Sequence, residues 1–200
     1  MRHAGLLLAG LLLLAGCGGP DQPAASATTS TAATSAPATG TPATVAAPAA
    51  QSAASARYDG YGATRFGMDE AAFRQAWAGG LNGTPQPGAE CFYLRPKWAK
   101  LPGELAFMFE HGRFVRYEVG TAKEAAPGGG AVGMDEARIR RLYGDRVAEQ
   151  PHKYLAGAKY LRVAATAGKG VLLFETDAAG KVTRWRAGVP PQVDYVEGCS

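Results

Sequence analysis

Past residue 56 this 200-residue sequence is short of the side chains that perform covalent chemistry. Serine crowds the first quarter of the chain, but from residue 57 onward only Ser200 remains. A serine hydrolase therefore has no nucleophile here, and no Gly-x-Ser-x-Gly elbow, His-Glu-x-x-His helix or usable Cys–His pair occurs. Histidine is equally scarce. Beyond His3 there are only His111, in a tight turn, and His152, after a proline, which reads them as exposed loop residues and leaves no metal site. Long runs of one charge are also missing. The net charge of +4 is spread among interspersed acids and bases, which argues against a nucleic-acid stripe. Arg138, Arg140 and Arg141, with Arg146 nearby, read as the solvated side of a helix. The glycines from Gly128 to Gly133 match a dinucleotide fingerprint in letters only. Pro127 separates them from the preceding strand, and an antiparallel pattern follows where a parallel unit is required. The expectation is a protein that is no enzyme, with no cofactor and no metal.

What is present begins at the N-terminus. Met1-Arg2-His3 is a positively charged start, and Leu6 to Ala15 is an apolar run interrupted only by Gly10. It falls short of the roughly 20 apolar residues a membrane-spanning helix needs, so residues 1–16 read as a secretory signal. Leu14-Ala15-Gly16-Cys17 resembles the bacterial lipobox, which implies that Cys17 carries acyl chains such as palmitate and anchors the protein in a membrane. Gly18 after the cysteine implies, by the same resemblance, the periplasmic side of the outer membrane in a Gram-negative cell. Residues 17–56 then form an expected tether. They are nearly all Ala, Thr, Ser, Pro and Gly, with Asp21 the only charge, and too little apolar bulk to offset the entropy of ordering.

Residues 57–200 are the expected folded domain. Its two cysteines, Cys91 and Cys199, are expected to pair, as cysteines of exported domains usually do. Such a bridge closes a long loop and contributes up to about 4–5 kcal/mol in the chain-entropy account.

The domain also repeats itself. Phe66-Gly67-Met68-Asp69-Glu70-Ala71 returns as Val132-Gly133-Met134-Asp135-Glu136-Ala137, Tyr93-Leu94 as Tyr160-Leu161, and Phe109-Glu110 as Phe174-Glu175. Arg116 to Gly120 likewise returns as Arg184 to Gly188. All four matches keep an offset near 66 residues, which predicts two units, about 57–125 and 126–200. Each unit opens with an aspartate placed to cap a helix, over Glu70–Ala78 and Glu136–Tyr143. Strands are expected at Cys91–Leu94, Leu105–Glu110 and Arg113–Val119, and again at Lys159–Ala165, Gly170–Thr176 and Lys181–Ala187. Gln192–Glu197 is expected as a closing strand. The fold class is α+β: two tandem helix-plus-antiparallel-meander units forming one sheet, with helices packed on one face.

Gly67-Met68-Asp69 and Gly133-Met134-Asp135, the second followed by Leu142-Tyr143-Gly144, resemble the helix starts of the SmpA/OmlA and β-lactamase-inhibitor-protein-like group. Aspartate stands where that group has a hydroxyl residue. The resemblance implies a helical segment on an antiparallel sheet and a protein-binding role in the envelope. Tyr195 to Cys199 resembles the ends of envelope proteins described as lectin-like. Trp98 lies in a polar, proline-containing loop, and Tyr58, Tyr61 and Tyr154 precede elements. Exposed aromatics beside Lys and Arg suit stacking on sugars or anchoring a protein. The expected function is a non-catalytic lipoprotein scaffold binding an envelope protein, with a carbohydrate-binding module as the alternative.

Overall fold

The structure is a computed structural model and describes residues 55–199. The signal segment, Cys17 and residues 17–54 of the expected tether lie outside the described residues, as does Ser200. A small hairpin, β1 (Ala56–Arg57) with β2 (Gly60–Tyr61), leads into helix α1 (Glu70–Ala76). Strands β3 (Leu81–Asn82), β4 (Cys91–Pro96), β5 (Ala106–Glu110) and β6 (Arg113–Val119) follow. Helix α2 (Glu136–Tyr143) precedes β7 (Val147–Pro151), β8 (Lys159–Ala164), β9 (Val171–Thr176) and β10 (Val182–Gly188). Strands β3 to β10 form one open antiparallel sheet of eight strands in the order β3-β4-β5-β6-β10-β9-β8-β7. The fold is α+β, and mostly β.

Both helices are too short to hold themselves together in water. Each starts where an aspartate accepts a backbone N–H, Asp69 from Ala72 at 2.8 Å and Asp135 from Arg138 at 2.7 Å. The preceding glycines, Gly67 and Gly133, both sit at φ 90°, a conformation L side chains rarely adopt. That bend lets Gly67 N–H donate to Phe114 O and Gly133 N–H to Val182 O, each at 2.8 Å, tying the helix starts to β6 and β10.

Packing does the rest. Phe73 of α1 is fully buried, with ring centroids 4.8–5.1 Å from Phe107, Phe109 and Phe114. Ile139 and Tyr143 of α2 bury beside Phe174 and Leu172 in the same cluster, and Trp185 closes it against Tyr117. Removing a buried Phe of this kind costs about 3–5 kcal/mol. The core therefore lies between the helices and one face of the sheet, here called the inner face.

Several expectations are corrected. The chain enters the fold before residue 57: Ala56 is buried, and Gly62 N–H donates to Ser55 O at 2.6 Å. Helix α1 stops at Ala76, because Trp77 turns extended and lays its ring against Phe73 and Phe107. Strands β3 and β7 are additions to the expected set. They are the two edges of the sheet, and β7 is almost wholly exposed, so it lacks the apolar alternation that marks a strand. Gln192–Glu197 is no strand. Val193, Asp194 and Tyr195 donate their N–H groups back to Val189, Pro191 and Gln192, which makes a 3-10 turn in place of a ladder.

Candidate functional site in the outer sheet face

Beyond an irregularity near the start of each, the strands at the middle of the sheet alternate. Tyr117 and Val119 of β6, and Trp185 and Ala187 of β10, point into the inner-face core. Arg116 and Glu118, and Arg184 and Arg186, therefore point to the outer face, where Glu118 lies opposite Arg186 across the β6–β10 ladder. An outer face built on arginine at its centre needs partners for those guanidiniums, and the two halves of the face supply them differently.

In one half the chain supplies its own. Residues 189–199 run back over the outer face as a strap. Arg116, 2% exposed, donates through Nη1 to the carbonyls of Gln192 at 3.1 Å and Tyr195 at 2.7 Å. Arg186, 1% exposed, donates through Nε to the Val193 carbonyl at 2.6 Å and through Nη1 to the Glu175 carboxylate. Burial, reinforced by the neighbouring Arg116, pushes the Arg186 guanidinium below its ordinary value. Glu175 offsets part of this, and it also faces Arg184 at 3.4 Å and His152 at 3.9 Å. Val193 fills a small apolar seat of Tyr160, Val171 and Leu173. Arg162 grips the Asp194 carboxylate with two nitrogens, Nε to Oδ1 at 3.1 Å and Nη2 to Oδ2 at 3.4 Å. The Cys91–Cys199 disulfide, with Cα atoms 5.4 Å apart, pins the end of the strap to β4.

The other half is open. A cleft of about 400 Å³ lies between the ends of β6 and β10 and the loop from Lys97 to Leu105. Arg95, Glu118, Thr183 and Arg184 line its base, and Leu101 and Glu104 its wall. Its two acids are already compensated. Glu118 accepts from Arg116 Nη2 at 2.5 Å, and Glu104 from Lys123 Nζ and the Lys100 backbone N–H, each at 2.8 Å. The Lys123 ammonium and the Lys100 N–H hold the Glu104 carboxyl below the usual range. Its two bases are not compensated to the same degree. Arg95 forms no ion pair among the described residues, and its buried Nε has no hydrogen-bond partner. Arg184 touches Glu175 only from a side chain that is 55% exposed. The cleft thus carries an excess of positive charge, with donors suited to a carboxylate or a carbonyl. A second depression beside the disulfide is lined by groups that already pair, such as Lys153 with Glu197 at 3.2 Å.

Trp98, 54% exposed, and Leu101, 65% exposed, stand on the loop that walls the cleft. Tyr154, also exposed, lies on the loop between β7 and β8 and bonds through its hydroxyl to Glu197 of the strap. Tyr58 is half-buried against the β8–β9 connection, where its carbonyl leaves no room for a side chain at Gly170. Tyr61 is buried, with ring centroids 5.3 Å from Tyr117 and 5.7 Å from Phe107, so it belongs to the core and is not presented to a partner. The four tyrosine and tryptophan residues that the sequence points to are therefore not brought together. Sequence reasoning misses the cleft's arginines, although the period-two alternation of Arg116, Glu118, Arg184 and Arg186 is a readable signal for a polar second face.

Among the described residues no group of His, Cys, Asp or Glu is placed to hold a metal ion, and no helix is long and apolar enough to cross a membrane. Comparison with protein-family profiles and with curated proteins finds no match. Among solved structures, the chain is similar to an extracellular protein containing a SCP domain from Bacillus anthracis str. Ames, with a TM-score of 0.38 and 9% identity. The match covers 62% of this chain and 44% of that one, and a likeness so slight carries no argument about function.

Proposed function

We propose that this chain is a lipid-anchored envelope protein whose domain is a non-catalytic scaffold, binding an exported protein at the open half of its outer face. The observation that carries the reading is a pair of large apolar side chains held in solvent on one loop, Leu101 lining the polar, arginine-bearing cleft and Trp98 three residues before it. Exposed Trp beside a desolvatable pocket is the composition of an interface anchor. The disulfide supports an oxidising compartment, envelope or secreted. Acylation at Cys17 and the signal before it rest on the lipobox resemblance.

We infer further that the domain is two copies of one unit. The sheet order reads the same from both ends about the β6–β10 junction. There Tyr117 lies opposite Ala187 and Val119 opposite Trp185, a pairing that maps onto itself when the units exchange. The two capping aspartates, with ion pairs Asp69–Arg113 at 3.9 Å and Asp135–Lys181 at 3.6 Å, match in the same way.

Capture from detergent-solubilised native envelope with the full-length acylated chain tests the binding role. The expected result is one near-stoichiometric protein that Trp98→Ala no longer retains. Capture of nothing, or capture indifferent to Trp98→Ala, contradicts the reading. The hydroxyls of Thr121 and Thr183 in the cleft, with the exposed Trp98 on the loop that walls it, favour glycan binding as the second reading. Its signature is Trp98-dependent sedimentation with cell-wall material.

A further inference from the structure

On the tandem reading, each residue of the outer face has a counterpart in the other half. Tyr93 of β4 matches Tyr160 of β8, and their ladder partners, Met108 and Glu175, place β5 against β9 two residues off the Phe109-Glu110 and Phe174-Glu175 match. Arg95 and Arg162 each stand two residues further along. Arg116 matches Arg184, and Glu118 matches Arg186, the same 68 residues apart. The residues that grip the strap are Arg162, Arg116 and Arg186. Their counterparts are Arg95, Arg184 and Glu118, and these three line the cleft.

We propose that the cleft is the vacant counterpart of the strap's seat and receives an acidic peptide segment of the protein partner. A carboxylate side chain meets the Nη atoms of Arg95, whose Nε is buried, where Asp194 meets Nε and Nη2 of Arg162. A main-chain carbonyl nearby is taken by Arg184, as those of Gln192 and Tyr195 are taken by Arg116. The proposal rests on the scaffold reading of the previous subsection and names the partner's chemistry.

Three observations give it substance. First, the seat is vacant for a topological reason. After β10 the chain continues over the outer face, whereas after β6 it crosses to the inner face, where Ala126 is buried in the core beneath α2. Second, the backbone approaches equally closely at a matching glycine in each half. A Cβ at Gly188 would lie 2.8 Å from Val115 O, and one at Gly120 would lie 2.8 Å from Gly103 O. Third, the charge fits a single carboxylate. Arg95 is the uncompensated cation, and Glu118 stands where the strap's seat has Arg186, so a dianion such as phosphate meets repulsion from Glu118. A planar carboxylate matches the guanidinium fork in shape as well as charge. Glu118 also replaces a carbonyl-binding donor by an acceptor, so the position next to the acid must present an N–H or an ammonium.

The strap itself supplies the probe. A blocked nine-residue peptide with the sequence of residues 190–198 is titrated calorimetrically into the full-length acylated chain in detergent. The disulfide is left intact, so the chain's own strap keeps its seat. The expected result is one site per chain, at least tenfold weaker for the Asp194→Asn version of the peptide. The Arg95→Gln chain and the Arg184→Gln chain are each expected to bind at least tenfold more weakly as well. No binding at millimolar peptide overturns the proposal, as does equal binding by the Asp and Asn peptides or by the doubly substituted chain. Tighter binding of a glucuronate oligosaccharide than of the peptide also overturns it. The scaffold reading fails separately. If envelope capture depends on Trp98 but survives Arg95→Gln with Arg184→Gln, the scaffold stands and the acidic segment falls. If the peptide binds as expected and no envelope protein is captured, the reverse holds.

Discussion

The two halves of the outer face start from the same kind of side chain and end in opposite states. Under the strap, Arg116, Arg162 and Arg186 are met from within by three main-chain carbonyls and three carboxylates, those of Asp194, Glu175 and Glu118, and only Arg116 Nε and Arg186 Nη2 are buried without a partner. In the cleft, Arg95 forms no ion pair among the described residues and keeps a buried Nε without a partner, and Arg184, 55% exposed, meets only Glu175. A buried guanidinium is costly unless its donors are met, so the covered half is committed to its present partners and contributes stability. In the open half Arg184 is half in solvent, where water meets its donors, while Arg95 carries one buried donor that nothing in the fold meets. The same chemistry thus serves structure on one side and, on our reading, recognition on the other.

That contrast sets an order of expected effects. Replacing Arg186 by Met strands Glu175 under the strap and is expected to cost about 3–5 kcal/mol in denaturant unfolding. Adding Glu175→Leu should recover much of the loss, and a double variant no better than the single would deny that the two act as a pair. Cutting the strap loose with Cys199→Ser is expected to cost about 2–4 kcal/mol, since the bridge closes a loop with a sequence separation of 108. Calorimetry with and without a reductant should reproduce it in the unaltered chain. On the open side, Arg184→Gln removes a half-exposed contact and is expected to change stability by less than about 1 kcal/mol. A loss as large as that of Arg186 would mean the halves do not differ.

The helix starts offer a smaller test. The Arg138 backbone N–H holds the Asp135 carboxyl below its ordinary value, with Lys181 and Arg141 adding to it. Because the folded value lies below the unfolded one, the cap's contribution is full above the usual carboxylate range, about pH 4, and is lost as pH falls further. Asparagine caps nearly as well as aspartate but does not titrate there. Asp135→Asn is therefore expected to leave neutral stability almost unchanged and to flatten its decline on acidification, read from thermal melts between pH 2 and 7. Smallest of all, Trp98→Ala should leave the melting curve within about 0.5 kcal/mol of the parent, as an exposed side chain allows. Its expected effect on partner retention is nevertheless the 2 kcal/mol or more of an interface anchor, roughly thirtyfold in affinity.

Much of the inner side of the molecule is legible in the amino-acid sequence. Gly67-Met68-Asp69 and Gly133-Met134-Asp135 announce their helices because cap, bend and acid are local features. β5 and β9 announce strands as short apolar runs buried on both sides, and β6 and β10 by alternating apolar and charged residues. The edges announce little, since β7 buries almost nothing. The outer face is harder to read for a different reason. Arg95 and Arg184 are 89 positions apart in the chain, and only the register of the sheet brings them to one cleft. Tyr61 misleads for the converse reason, because its neighbours in space, Phe107 and Tyr117, are distant in sequence. The strap reads as a strand because Val193 and Val196 suggest an apolar side, while its N–H groups close on their own turn.

A photo-crosslinking residue placed at Leu101, at the cleft's rim, interrogates the open half in the native envelope. The account predicts one discrete crosslinked protein, which disappears when Arg95→Gln and Arg184→Gln are added. The same label at exposed Ala148 on the β7 edge should give no such product. A Leu101 label that captures no protein, or captures it regardless of the two arginines, contradicts the account.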